Sequence, residues 1–432
     1  MGHGKLVAQI IARYTNDHHD IDRIAIELMP FQTQIPISSA RASRRFASRL
    51  ALFYAAVFAL IGTHLPFFPL WLRSVGIDAS WIGIITAVPA VTRFTVLPWV
   101  TGLAERRSAL RGALIVTAIM TTLGFSLVGT QNRAPLVFLA YVVTASMWTP
   151  MVPLTDAYAL RGVARYGLKY GPLRLWGSAA FVVGALVCGL LVDMIAWQHL
   201  IWVIAATAAL GAVLSFALQP LDHSGKQPAP PRGASALLRD PGFLVIIVAS
   251  ALIQGSHAAY YTFASITWEL SGLGGLTIAV LWAIGVIAEI AVFALSPRLK
   301  WQPAVLVVIG ALSAVARWLI TALEPPVAVL AIVQLAHGLT FGITQVGTMG
   351  LMLRHVPIHF MARGQGYLAA CGGIVASAAS ILSGVIFARY GQGVYYVMAA
   401  MALLGAAVMW STRDHIAFSS GTETGSRRAS TP

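Results

Sequence analysis

Seven ionisable side chains interrupt long apolar stretches of this 432-residue chain: His64, Arg93, Asp156, His257, Glu289, Arg317 and His337. Placing such a group in hydrocarbon costs about 2.5–3.5 kcal/mol on insertion scales, so each is a functional candidate by default. Glu289 is the most isolated, with six apolar residues before it in Ala283-Ile284-Gly285-Val286-Ile287-Ala288. Hydrocarbon penalises a charged carboxylate, which makes Glu289 able to take up and release a proton during a transport cycle; a fixed ion pair with Arg317 or Arg93 is the structural alternative. Gln254, His257 and Tyr261 recur at i, i+3 and i+7, and Gln334 and His337 at i and i+3, so each set lies on one helical face. Such faces suit substrate contact or interhelical hydrogen bonding. A guanidinium grips a carboxylate through two parallel hydrogen bonds, so Arg93 or Arg317 facing a cavity favours an anionic substrate, with pairing to Asp156 or Glu289 as the competitor. Asp156 and Arg174 stand near one membrane surface, where a gating ion pair is the natural role.

The elements that hold these groups follow from composition. The chain is 58% hydrophobic and 10% charged, with a mean hydropathy of +0.77. It has too little polar side chain to coat a water-soluble surface of this size. Runs of about 20 apolar residues match the length of a membrane-crossing helix, and the alternation of a membrane β-barrel is absent. Twelve spans are predicted, at 50–72, 80–102, 112–130, 134–157, 173–193, 197–219, 242–268, 276–296, 303–323, 326–351, 366–388 and 392–411. Pro66 and Pro69 in the first span and Pro150 and Pro153 in the fourth permit kinks.

The net charge of +14 is scattered through short segments rather than gathered into a nucleic-acid-binding stripe. With the N-terminus inside, inner loops carry fourteen Lys and Arg residues and outer loops three, Arg73, Arg133 and Arg389. The positive-inside rule then puts both termini in the cytoplasm. Residues 1–46 read as a disordered polar extension without a removable signal peptide, and Met29 is a second candidate start. Residues 47–220 and 242–412 form two six-helix bundles. Residues 221–241, containing Gln227-Pro228-Ala229-Pro230-Pro231-Arg232-Gly233, read as a cytoplasmic linker, and 413–432 as a disordered tail. Cys188 and Cys371 lie in apolar runs and suit neither a disulfide nor a metal site.

The halves repeat. Gly62-Thr63-His64-Leu65-Pro66-Phe67-Phe68 answers Gly255-Ser256-His257-Ala258-Ala259-Tyr260-Tyr261 at an offset of 193, and Gly177-Ser178 with Gly189 answers Gly372-Gly373 with Gly384 at 195. Two parallel repeats of six helices imply an all-α membrane protein with a midplane cavity between bundles, the major facilitator architecture. Motifs of membrane hydrolases and phosphate-binding loops are absent, so no enzyme, metal or cofactor is expected.

Leu103-Ala104-Glu105-Arg106-Arg107 resembles part of the major facilitator loop motif, with its glycine displaced to Gly102. More specific are Val152-Pro153-Leu154-Thr155-Asp156, Tyr170-Gly171-Pro172-Leu173-Arg174-Leu175-Trp176-Gly177-Ser178, Gln254 through Tyr261, and Leu281 through Glu289. Together these resemble the phenylpropionate permease family of the major facilitator superfamily, which is similar to the nucleoside proton symporters, over residues 50–410. The resemblance implies proton-coupled uptake of a small aromatic carboxylate across the bacterial inner membrane. It places Arg93, Asp156, Arg174, His257, Glu289, Arg317 and His337 at the family's embedded polar positions, whereas His64 replaces an expected apolar or aromatic residue. On this reading Glu289 with His257 carries the proton and an arginine holds the carboxylate. Tyr260, Tyr261 and Phe67 pack the ring, and His64, Gln254, Gln334 and His337 complete the site. The expected partners are an organic anion, protons and lipid, with the chain acting as a monomer; proton-driven efflux and nucleoside or sugar symport are the alternatives.

Overall fold

The computed structural model describes residues 37–221, 234–357 and 360–419. The chain divides into two compact units, Met1–Arg45 and Phe46–Pro432, and all twelve predicted spans fall in the second. The predicted N-terminal extension up to residue 36, most of the linker and the end of the tail lie outside the described residues.

Among the described residues the regular structure is helical throughout. Eleven continuous stretches are long and apolar enough to cross a membrane. The last, Met361–Thr412, is 52 residues long and contains two helices, Met361–Tyr390 and Val394–Ser419, so the spans number twelve. The others are Ile37–Ser74, Ala79–Arg106, Leu110–Gly129, Ala134–Tyr166, Tyr170–Val192, Trp197–Phe216, Pro241–Leu270, Gly275–Arg298, Pro303–Ala322 and Val327–His355. At the end with few basic residues, every helix boundary falls within two residues of prediction. Connections there are tight turns, two of them closed by Gly76 and Gly272, whose φ values of 85° and 84° favour glycine. At the basic end the second, fourth, tenth and eleventh spans run four to nine residues further, to Arg106, Tyr166 and His355 and from Met361. Water tolerates a helix whose outer turns carry Arg106, Arg161, Arg165, Arg354 and Arg363, so hydrophobic length does not mark where it stops.

Among the described residues three spans are broken near their middles. The fourth divides into Ala134–Trp148 and Met151–Tyr166 at Pro150, which lacks an N–H to continue the ladder. The seventh divides into Pro241–Gly255 and Ala258–Leu270 without a proline. There the Ser256 hydroxyl donates to the Ile253 carbonyl (2.6 Å), and His257 Nδ1 lies 3.2 Å from the same oxygen. Side chains thus compete with the backbone for one acceptor. The tenth passes from Val327–Leu335 into a π-helical turn, Gly338–Ile343, before Thr344–His355. The first span, despite Pro66 and Pro69, stays helical.

The halves meet chiefly through two pairs of helices, the second packed on the eleventh and the fifth on the eighth. Both contacts depend on glycine at the sparsely charged end. A Cβ on Gly384 would lie 2.7 Å from the Ala79 carbonyl, and one on Gly189 would lie 2.6 Å from that of Gly275. At this end a single apolar core is continuous through both halves, including Phe68, Ile82, Phe125, Cys188, Phe263, Ala279 and Trp318. Towards the basic end the core splits. One part, around Phe53, Leu114 and Tyr158, belongs to the first half, and another, around Phe243, Val307 and Met352, to the second. Among the described residues the core thus seals the two halves together at one end and leaves them divided by a cleft at the other. Gly189→Ala is expected to destabilise the protein by about 1–3 kcal/mol through overpacking, read as a lower thermal midpoint in detergent; an unchanged midpoint would refute this account of the seal.

Candidate functional site

The 193-residue offset extends well beyond the matched motifs. In the first half His64 is ringed by Phe68 (centroids 4.7 Å apart), Phe125 (5.4 Å), Tyr141 (5.8 Å) and Trp148 (4.4 Å). Adding 193 to these five numbers gives His257, Tyr261, Trp318, Gln334 and Phe341. His257 indeed meets Tyr261 (6.1 Å), Trp318 (5.0 Å) and Phe341 (6.1 Å). Each half thus holds one histidine in a cage built from equivalent positions of three helices. Even the hydroxyls of Thr63 and Ser256 correspond, bonding the carbonyls of Leu60 and Ile253.

The cages differ in charge. Position 317, the counterpart of Gly124, places a guanidinium beside His337, the counterpart of Thr144. Gly124 and Thr144 pack so closely that a Cβ on the glycine would lie 2.9 Å from that of the threonine. In the second half, Arg317 Nη1 donates to His337 Nδ1 (2.9 Å) and Thr340 Oγ1 (3.2 Å), and Nη2 donates to Gln334 Oε1 (2.9 Å). Tyr260 donates its hydroxyl to the same Gln334 oxygen (2.9 Å). The guanidinium lies over the rings of Tyr260 (4.5 Å) and Trp318 (4.7 Å), where the π faces favour a cation. Arg317 is 1% exposed, and among the described residues no carboxylate lies within ion-pair distance of it.

These bonds assign tautomers. His257 Nδ1 faces the Ile253 carbonyl and so bears the hydrogen, while Nε2 accepts from Thr340 (3.0 Å). His337 Nδ1 accepts from Arg317, leaving the hydrogen on Nε2, which points at Glu289 Oε2 from 3.8 Å. Arg317 therefore sets how His337 presents itself to the carboxylate, the way a metal site's outer partners orient its ligands. Glu289 stands at the edge of the network with its side chain 24% exposed.

Arg93 occupies a different situation. It lies seven residues after Thr86 on the second span, on the same helical face, and the Thr86 hydroxyl meets those of Thr262 (3.2 Å) and Ser380 (3.0 Å). Neighbouring helices surround Arg93, yet its side chain is exposed. Among the described residues it makes no hydrogen bond or ion pair. Tyr261 lies within electrostatic reach of both Arg93 and Glu289. The equivalent contacts of Gly384 with Ala79 and of Gly189 with Gly275 set the offset between second and eighth spans at 196. Arg93 and Glu289 are 196 apart, so the halves present opposite charges from equivalent positions.

The remaining predicted residues fall into separate places. His64 is buried in the first half, with Nε2 on the Tyr141 hydroxyl (2.9 Å) and Nδ1 without a hydrogen-bond partner. Both amide atoms of Gln254 are buried and unpartnered, and the break at Ser256 interrupts the regular face it was expected to share with His257 and Tyr261. Phe67 and Tyr260 are buried, whereas Tyr261, Trp148 and Phe341 are partly exposed. Asp156 Oδ1 accepts from Tyr54 (2.6 Å) and Tyr170 (2.9 Å), with Arg174 Nε at 3.7 Å. The Arg174 guanidinium covers the Phe58 ring at 4.0 Å. Asp156 and Arg174 both belong to the first half. Residues not singled out from sequence include Trp148, Tyr141, Trp318 and Thr340; the 193 offset would have paired Trp148 with Phe341, but Thr340 answers to Met147 and carries no such signal.

A family model described as "MFS_1 like family" matches residues 47–398. The chain belongs to that family. This MFS_1-like protein is 31% identical to the probable 3-phenylpropionic acid transporter of Escherichia coli K12, over 82% of this chain and 94% of that protein. It is 26% identical to the maltose permease of Geobacillus stearothermophilus, over 80% and 89%. A crystal structure of the nucleoside transporter NupG matches 85% of the chain and 98% of its own with a TM-score of 0.74 and 15% identity, a likeness of fold. The MFS_1-like chain is thus a multi-pass membrane transporter with the major facilitator fold, and not an enzyme.

Proposed function

We propose that this transporter imports a small aromatic carboxylate of the 3-phenylpropionate class together with protons, by alternating access across the bacterial inner membrane. The observation that carries the reading is the pair Arg93 and Glu289, opposite charges on equivalent positions of opposite halves with no carboxylate–guanidinium ion pair between them, both within electrostatic reach of the partly exposed ring of Tyr261. Arg93 has its fork of donors free for a carboxylate. Arg317, with its terminal nitrogens engaged and its surface buried, instead holds His337 and Gln334 in place. The proton is assigned to Glu289 rather than His257, whose two ring nitrogens are both occupied. The relative described as a probable 3-phenylpropionic acid transporter supports the substrate class.

Positive-inside counting supports cytoplasmic termini, which makes the sealed end outer and the cleft cytoplasmic. Asp156 and Arg174 then lie on the cytoplasmic side, and rocking of the two halves exchanges the open end. Uptake of labelled 3-phenylpropionate into proteoliposomes should rise several-fold under an inward proton gradient. Equal rates with and without the gradient would remove the coupling, and no uptake in either would remove the substrate class.

A further inference from the structure

The eighth span does not cap its own N-terminus. Its N-cap position is Gly274, which has no side chain to offer, and the first backbone N–H groups are met instead from the other half. Asp193, just beyond the fifth span, accepts from Gly275 N through Oδ1 (2.6 Å) and from Leu276 N through Oδ2 (3.0 Å). The equivalent interface reverses this arrangement. There the second span carries its own cap, Asp78, whose Oδ1 accepts from Ser80 N (2.9 Å) and Trp81 N (3.1 Å). The position equivalent to Asp193 at the 195 offset is Ala388, which has no acceptor in its side chain. Backbone strain does not explain the exchange, because Gly274 has φ −69° and ψ 164° while Asp78 has φ −70° and ψ 162°. An aspartate could cap the eighth span from its own chain position, yet the carboxylate sits across the divide.

We propose that Asp193 is a latch between the halves: by capping the eighth span from the fifth, it makes an unsatisfied helix terminus the cost of opening the outer end. A helix N-terminus concentrates unpaired N–H groups and partial positive charge, so a carboxylate there is held without any partner cation. The bonds run between halves and must break when the fifth and eighth spans part at this end. A second link crosses the same face, where Arg73 of the first span pairs with Glu269 of the seventh. The inference rests on the alternating-access reading, but its test follows neither substrate nor protons.

The reporter is Ile266→Cys in full-length protein whose Cys188 and Cys371 are replaced by alanine. Ile266 is 2% exposed and lies on the seventh span between Thr262, which meets Thr86 of the first half, and Glu269, which meets Arg73. It should become reachable when the outer end opens. In right-side-out vesicles treated with a membrane-impermeant maleimide, the reference protein labels slowly. Asp193→Ala is expected to label at least fivefold faster and Asp193→Asn, which keeps one acceptor, to an intermediate degree. Asp193→Ala with Gly274→Asp separates the latch from simple capping. It returns the cap to the helix, so the thermal midpoint recovers while labelling stays fast. Labelling that returns to the reference rate in the double variant would show that Asp193 only stabilises the helix. Fast labelling of the reference protein, or no acceleration in Asp193→Ala, would overturn the latch outright.

Discussion

Glu289→Gln is expected to abolish proton-driven accumulation of substrate while leaving exchange of labelled for unlabelled substrate intact. Glutamine keeps the shape of the carboxyl group and a hydrogen-bonding oxygen but is permanently neutral, so it imitates the protonated carrier at every pH. Net symport requires the proton to leave on each return of the empty carrier; exchange does not, because the loaded protein simply shuttles. The accumulation ratio in proteoliposomes with an imposed gradient should fall at least tenfold, and exchange should become indifferent to pH. His337, whose Nε2 lies 3.8 Å from the carboxylate, should not take over the role, since its other nitrogen is occupied by Arg317. Retained gradient-driven accumulation in the variant would exclude Glu289 as the proton carrier.

Arg93→Gln should weaken binding of an aromatic carboxylate by about 2–4 kcal/mol, roughly 30- to 1000-fold, the cost of leaving a charged group without its hydrogen-bonded partner. Binding of the corresponding primary amide, which brings no charge to the site, should change far less. Arg93→Lys restores the charge without the planar fork and should recover only part of the affinity. Arg317→Gln should behave differently, lowering the thermal midpoint because Gln334, Thr340 and His337 lose a shared donor deep in the second half. Titration of ligand against purified protein, alongside its melting curve, distinguishes the two. Equal loss of affinity for acid and amide in Arg93→Gln would show that the side chain does not hold the carboxylate.

Hydrophobic length located every helix at the end where turns are tight; at the other end it located the starts of the third, seventh and ninth spans but missed the ends at Arg106, Tyr166 and His355 and the start at Met361, where charged turns continue in water. The repeat was legible from His64 and His257, yet the two histidines alone did not reveal that Phe125, Tyr141 and Trp148 answer Trp318, Gln334 and Phe341, because aromatic and polar residues substitute for each other there. Arg93 and Arg317 are indistinguishable as arginines in apolar runs; only packing shows one exposed and the other sealed beneath Tyr260 and Trp318. Asp193 carries no signal in sequence, since an acidic residue at the end of a span reads as an ordinary loop residue. Its meaning comes from Gly274, 81 positions later, and from a helix terminus that belongs to the other half.

The glycine contacts of the seal have a thermodynamic side. Where Gly384 meets Ala79 and Gly189 meets Gly275, backbone atoms lie against backbone atoms. Closing these patches freezes no rotamer at the glycines, so at the two contacts themselves the entropy of side-chain ordering favours neither state, and the hydrophobic term rests with the apolar core beside them. A seal built on interdigitated leucines or phenylalanines would bind the halves tightly and make each opening slow. The backbone contacts let the helices meet closely without adding such a side-chain term of their own, so a carboxylate on a helix end is a larger share of what holds the halves together at these points.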